Sequence, residues 1–302
     1  MKKINFSAIL LSLSCILSCV SAASIAACPP QQYTRVQLLE LKKNNWQITN
    51  ANERQHIALA LLDCLGEPDP HLRDEIAFEA LSFWMRNELI ATETIVAMQE
   101  KLQQQINQVI DQNDPGFMQA FSAMVLAEIA RVDRRKPFMS ETQRQAMLAV
   151  AGNYLNQLHD YRGFDENVGW RHGVAHAADW MMQLSLNPAL SKTQHQFILN
   201  TLAKHIANDQ HFYIYGEGER LMTPVFYLAL RSQLGVEEWE RWFSYLFETK
   251  LDLKKTTQAS LARKHNLTAF LSALYIALQQ SQQDALRERL LPIVIKSLKK
   301  LN

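Results

Sequence analysis

The chain has 302 residues, 48% hydrophobic and 20% charged, with 31 Lys and Arg against 30 Asp and Glu. So even a balance provides no overall field to recruit nucleic acid or another polyanion, and the length allows one large core or two small ones. Nine Gly and nine Pro are too few for the many tight turns of an all-β protein, which points to helices.

Lys2 and Lys3, an apolar run and then small residues form a secretory signal peptide over residues 1–22, with cleavage anywhere from 19 to 27. Val20-Ser21-Ala22 and Ser24-Ile25-Ala26 both offer small residues where signal peptidase reads. A rival reading takes Ile16-Leu17-Ser18-Cys19 as a lipobox, leaving Cys19 lipidated at the membrane surface. The protein is thus expected to be exported, periplasmic or secreted, or alternatively a lipoprotein. No later stretch approaches the roughly 18 apolar residues of a membrane span. Processing leaves 29 basic residues, 31 less the two lysines, against 30 acidic. It also leaves Cys28 and Cys64, which an oxidising compartment permits to pair; two unpaired thiols are the alternative.

Residues 31–302 read as a single all-helical domain. After Pro29-Pro30 the periodicity predicts helices at about 35–44 and 50–65, the second closed by Gly66. Asp69-Pro70 is a cap signal for a helix whose Ile76, Ala77, Ala80, Leu81 and Trp84 share a face. A helix at 92–111 follows, and Asp114-Pro115 repeats the cap signal. Phe117, Phe121, Met124, Val125 and Ile129 stripe the next helix, which ends in cations that suit its dipole. Ser140 with Gln143 is a capping-box pair opening a helix to about His159, and Ser191 caps another to about Asn208. Beyond a polar interruption at 210–220, helices are expected at about 221–233, 236–247, 254–265, 268–280 and 284–301. About a dozen antiparallel helices with short connections predict an all-α protein, a HEAT-like α-solenoid or α/α superhelix, with no fixed repeat period readable.

Residues 160–183 stand apart. Asp160, Arg162 and Asp165 lie in a loop, where an Arg between carboxylates more often braces the chain than binds a ligand. In the helix that follows, His172, His176, Asp179 and Gln183 fall within about 60° of one another, with Trp170, Val174, Ala177, Met181 and Leu184 opposite. That polar stripe contains no Lys or Glu, the usual occupants of a solvated face. The spacing of His172, His176 and Asp179 suits a divalent metal ion, although Gly173 stands where zinc-peptidase helices carry Glu. Competing readings are a non-metal ligand face and a structural polar network. Glu217, Glu219 and Arg220 form a second polar cluster, its acids placed either to meet a helix dipole or to act as a base beside the stripe.

The chain contains no Gly-x-Ser-x-Gly elbow, no Walker A loop and no Cys-x-x-Cys pair, and Gly216-Glu-Gly-Glu-Arg lacks the third glycine of a dinucleotide fingerprint. Residues 250–302 hold ten Lys or Arg and three Asp or Glu. With only Phe270 and Tyr275 as aromatics there, Lys250, Lys254, Lys255, Arg263, Lys264, Lys296, Lys299 and Lys300 fit a solvated face or a weak contact with an anionic surface, not a specific nucleic-acid site.

Six segments carry a resemblance: Arg-Asp-Glu-Ile-Ala-Phe (73–78), Phe-Ser-Ala-Met-Val-Leu-Ala-Glu-Ile-Ala-Arg (121–131), Asp-Tyr-Arg-Gly-Phe-Asp (160–165), Gly-Trp-Arg-His-Gly-Val-Ala-His-Ala-Ala-Asp (169–179), Gly-Glu-Gly-Glu-Arg-Leu (216–221) and Phe-Leu-Ser-Ala-Leu-Tyr (270–275). Together they resemble the bacterial family called domain of unknown function 2785. The resemblance implies an all-helical fold, marks the two polar loops as its signature and supplies no catalytic residue. The reading that results is a ligand- or partner-binding or scaffolding module, its site drawn from Asp160, Arg162, Asp165, Trp170, Arg171, His172, His176, Asp179, Glu217, Glu219 and Arg220. The runner-up is a metal-dependent hydrolase with His172, His176 and Asp179 as ligands and Glu217 or Glu219 as base.

Overall fold

The structure is a computed structural model describing residues 28–30, 32–108, 114–231, 233–249, 251 and 253–301. The leader, its cleavage site, Cys19 and Lys250 fall outside the described residues. Those described form twelve α-helices: α1 (Arg35–Lys43), α2 (Ala51–Leu61), α3 (Glu79–Arg86), α4 (Thr92–Ile106), α5 (Met118–Arg135), α6 (Glu141–Gln157), α7 (Gly173–Ser185), α8 (Lys192–Ile206), α9 (Glu217–Leu230), α10 (Val236–Tyr245), α11 (Gln258–Gln280) and α12 (Asp284–Lys299). A 3-10 turn, Leu62–Gly66, extends α2, and a π-helical stretch, His71–Phe78, runs into α3.

Local chemistry explains where several helices begin. Ser140 and Ser191 accept from the backbone N–H of Gln143 and Gln194, whose side chains reach back to the cap N–H, so both capping boxes form. Asp69 accepts from the N–H of His71. Asp114, by contrast, is not a helix cap. Its Oδ1 accepts from the N–H of Gly116, closing a turn at positive φ, and α5 starts only at Met118. The expected break between helices at 254–265 and 268–280 is also absent. Residues 258–280 contain neither Gly nor Pro, and Asn266 is buried and bonded across to the 208–213 segment.

Helices two apart in sequence lie side by side. α5 packs on α7, α7 on α9 and α9 on α11, while α6, α8, α10 and α12 form a second such row. Buried side chains from α1 to α12 make one continuous core. α7 is its centre: Gly173 to Ala178, Trp180, Met181, Leu184 and Ser185 are all buried. The polar stripe of this helix therefore faces protein. Trp170 does not share the apolar face of α7; it sits on a short ribbon, β1 (Phe164–Asp165) paired antiparallel with β2 (Gly169–Trp170), and is 38% exposed.

Cys28 and Cys64 are joined as a disulfide across 36 residues, tying the segment before α1 to the 3-10 turn. Arg263 does not belong to a basic surface. It is buried, and its guanidinium donates to the carbonyls of Ala207, Leu246 and Glu248. Among the described residues no helix is long and apolar enough to cross a membrane.

Candidate functional site

The loop between α6 and α7 is held by hydrogen bonds that its own sequence supplies. Asp165 Oδ1 accepts from the N–H groups of Asn167 and Val168, which turns the chain between β1 and β2 and holds this carboxyl below its usual range. Arg162 grips Asp160 through two nitrogens, at 2.8 and 2.6 Å, and its Nη2 also donates to the carbonyl of Asp114. Arg171 Nε donates to the carbonyl of Pro115 at 2.7 Å, and its guanidinium lies 4.6 Å from the centre of the Phe117 ring. The Arg162–Asp160 pair thus braces the loop. Backbone bonds from Arg171 to Gly163 and from His172 to Arg162 complete it.

His172 takes a left-handed conformation, φ 56°, as the residue preceding α7. Its ring stacks on Trp170, centroids 4.7 Å apart, and Trp170 in turn meets Phe164 at 4.9 Å and Tyr215 edge-on at 5.7 Å. Gly163 is required here, because a Cβ on it would lie 2.0 Å from the Tyr215 ring. The 212–216 segment then delivers Glu217, which is buried. Its Oε2 accepts from the N–H of Tyr215, and its Oε1 lies 3.7 Å from His172 Nε2. That Nε2 is buried with no hydrogen-bond partner. Burial lowers the pKa of His172, while the Glu217 charge and a backbone hydrogen bond to Tyr215 oppose the shift. A neutral imidazole with its proton turned to the Tyr215 carbonyl would present Nε2 as an acceptor beside a carboxylate.

The next turn of α7 does not extend this pair into a metal site. His176 Nδ1 donates to the carbonyl of Ala120 at 3.1 Å, its ring packs edge-on against Phe121, and burial drives its pKa down to about 3. The rings of His172 and His176 are 6.0 Å apart and inclined by 64°. Asp179 is occupied by Arg220, whose Nε reaches Oδ1 at 2.9 Å and whose Nη2 reaches Oδ2. Gln183 Oε1 accepts from Arg134. Among the described residues no group of three His, Cys, Asp or Glu side chains is placed to hold a metal ion. That geometry does not support the His172, His176, Asp179 ligand set: even spacing puts three donors on one helix face, but two of them are engaged by other elements.

Of the remaining candidates, Glu219 points to solvent from the first turn of α9. Asp160, Arg162 and Arg171 border a different cavity, next to α4 and α6. Sequence reasoning passed over Tyr215, although the run Phe212-Tyr213-Ile214-Tyr215 was a visible aromatic signal. It also passed over Arg73, a fully buried cation that ties the loop to the π-helical stretch. Arg73 donates to Asp74 and to the carbonyls of Glu67, Pro68 and Val168, and its guanidinium lies 4.0 Å from the Phe117 ring centre. Nothing local in the sequence marks a cation for that position.

No curated protein and no solved structure matches the chain. One family model does, described as protein of unknown function (DUF2785), and it matches residues 102–276, from late α4 through most of α11, including both polar segments. That stretch is more than half of the 302 residues, and the chain belongs to the DUF2785 family.

Proposed function

We propose that the protein is a ligand-binding module whose recognition surface is the junction of the 160–172 loop with the Tyr215–Glu217 segment. The observation that carries this reading is the buried, partnerless Nε2 of His172, set 3.7 Å from the Glu217 carboxylate and roofed by Trp170. A buried acceptor left without a donor costs about 1–3 kcal/mol, so a fold that keeps one beside a buried carboxylate has another use for it. Two acceptors this close, at the edge of an exposed aromatic cluster, call for a ligand that donates, through a hydroxyl or an amine. Phe164, Trp170 and Tyr215, all partly exposed, offer that ligand an apolar face to stack on.

A thermal-shift screen of small polyols, sugars and amines tests the reading. Compounds that raise the melting temperature of the wild type are expected to lose their effect in Trp170→Ala and in Glu217→Gln, with both variants still folded. Stabilisation that survives in both variants contradicts it. The same reading takes the protein to be exported, supported by the Lys2-Lys3 leader and by the Cys28–Cys64 bond, which an oxidising compartment sustains. An intact mass beginning between residues 19 and 27 is expected, and a mature chain that retains Lys2 and Lys3 contradicts export by cleavage.

A further inference from the structure

A separate cavity of about 540 Å³ opens between the end of α4, the turn before α5, the end of α6 and the start of α7. Its size suits a small molecule, and Ile106, Ala120 and Leu158 give it an apolar wall. Three features concentrate hydrogen-bond donors and positive charge on it. The first is the start of α7, at Gly173, which is left open: His172 provides no side-chain cap, and the first turn holds no acid. Its leading N–H groups and the positive end of the helix dipole are therefore not satisfied within the helix. The second is Tyr154, only 6% exposed, whose hydroxyl makes no hydrogen bond with any described residue. That hydroxyl lines the cavity and lies 3.3 Å from where a Cβ on Gly173 would sit.

The third is Arg171. Arg162 is neutralised by Asp160, but Arg171 has no carboxylate partner among the described residues, its guanidinium being held by the Pro115 carbonyl and the Phe117 ring. Burial and then the neighbouring Arg162 charge hold its pKa below the ordinary arginine value, against the opposing charges of Asp160 and Asp165. Asp114, the other acid of the rim, is turned to the N–H of Gly116.

We propose that this cavity binds a small organic acid, its apolar body against Ile106, Ala120 and Leu158 and its carboxylate or phosphate at the start of α7, where Tyr154 donates a hydrogen bond and Arg171 supplies the charge. Both sites are built on the 160–172 loop, but the groups used here, Tyr154, Arg171 and the start of α7, are not His172, Trp170, Tyr215 or Glu217, and the proposal does not rest on the function given to those. Calorimetric titration of the mature protein with benzoate, phenyl phosphate, inorganic phosphate and benzyl alcohol tests it. At least one of the two aromatic anions is expected to bind about tenfold more tightly than benzyl alcohol and than inorganic phosphate. Which of the two binds distinguishes a carboxylate from a phosphate ligand.

Tyr154→Phe and Arg171→Gln are each expected to weaken that binding about fivefold or more. Tyr154→Phe should keep or raise the melting temperature of the free protein, because the hydroxyl it removes has no hydrogen-bond partner among the described residues. Benzyl alcohol binding as well as the anions, no heat from either aromatic anion at millimolar concentration, or an unchanged affinity in Tyr154→Phe overturns the proposal. Trp170→Ala is expected to leave benzoate and phenyl phosphate binding unchanged, so the two sites fail separately.

Discussion

Buried polar side chains in this protein divide into those with a complete set of partners and those without. His205 belongs to the first kind: its Nε2 donates to the carbonyl of Leu155, leaving Nδ1 to accept from the hydroxyl of Tyr213, which itself accepts from Asn208. Arg73 is the extreme case, a fully buried guanidinium shared between one carboxylate, three carbonyls and two phenyl rings, Phe117 and Phe121. Replacing it strands those acceptors and the Asp74 carboxylate, so Arg73→Leu is expected to lower the unfolding free energy by about 3–5 kcal/mol in urea titrations. Arg73→Lys should recover little, since an ammonium cannot span the same fork. A loss under about 1 kcal/mol in Arg73→Leu would mean that the network is not what holds the loop to the π-helical stretch. Among the described residues, His172 Nε2 and the Tyr154 hydroxyl are of the second kind, and each lies at one of the two proposed sites.

Among the elements, α7 decides where the chemistry sits, because it is packed by α5 and α9 on its flanks and by α6 and α8 besides. Its small residues Gly173, Ala175, Ala177 and Ala178 permit close approach by neighbours, and all four are buried. The destination of its polar residues was not legible. Asp179 meets Arg220 41 positions later, and His176 meets a carbonyl 56 positions earlier. Helical periodicity identifies which residues share a face but not what faces them. The same limit holds for α11, where the partners of the buried Asn266 lie more than 50 residues away. Capping boxes at Ser140 and Ser191 were readable because every atom involved lies within four residues. One close approach is testable at this scale. A Cβ on Gly218 would stand 2.9 Å from the Cβ of Ala269 and 3.2 Å from the α11 backbone, so Gly218→Ala is expected to push α9 off α11 and cost about 1–3 kcal/mol. An unchanged or raised melting temperature would show that the contact has slack.

For the whole molecule, the all-α class followed from composition and periodicity, and the packing of alternate helices supplies the two rows that no repeat period revealed. Burial of uncharged histidines gives this fold a definite pH response. The pKa of His176 is lowered to about 3 and that of His205 to about 4, mainly by burial. In the unfolded chain both protonate below about pH 6.5, so the unfolded state binds more protons and stability falls as pH drops from there toward 4. Each contributes a slope of up to about 1.4 kcal/mol per pH unit over that window. The urea midpoint is expected to fall between about pH 7 and pH 5, where most carboxylates are still ionised; a midpoint that holds or rises there contradicts a neutral buried pair. The central claim, that the His172–Glu217 junction receives a ligand, is tested most directly by following the Trp170 indole N–H resonance during titration with the polyols, sugars and amines that stabilise the protein. A saturable shift of that resonance, abolished in Glu217→Gln, is the predicted result, whereas ligands that bind without moving it, or that move it equally in Glu217→Gln, would contradict the account.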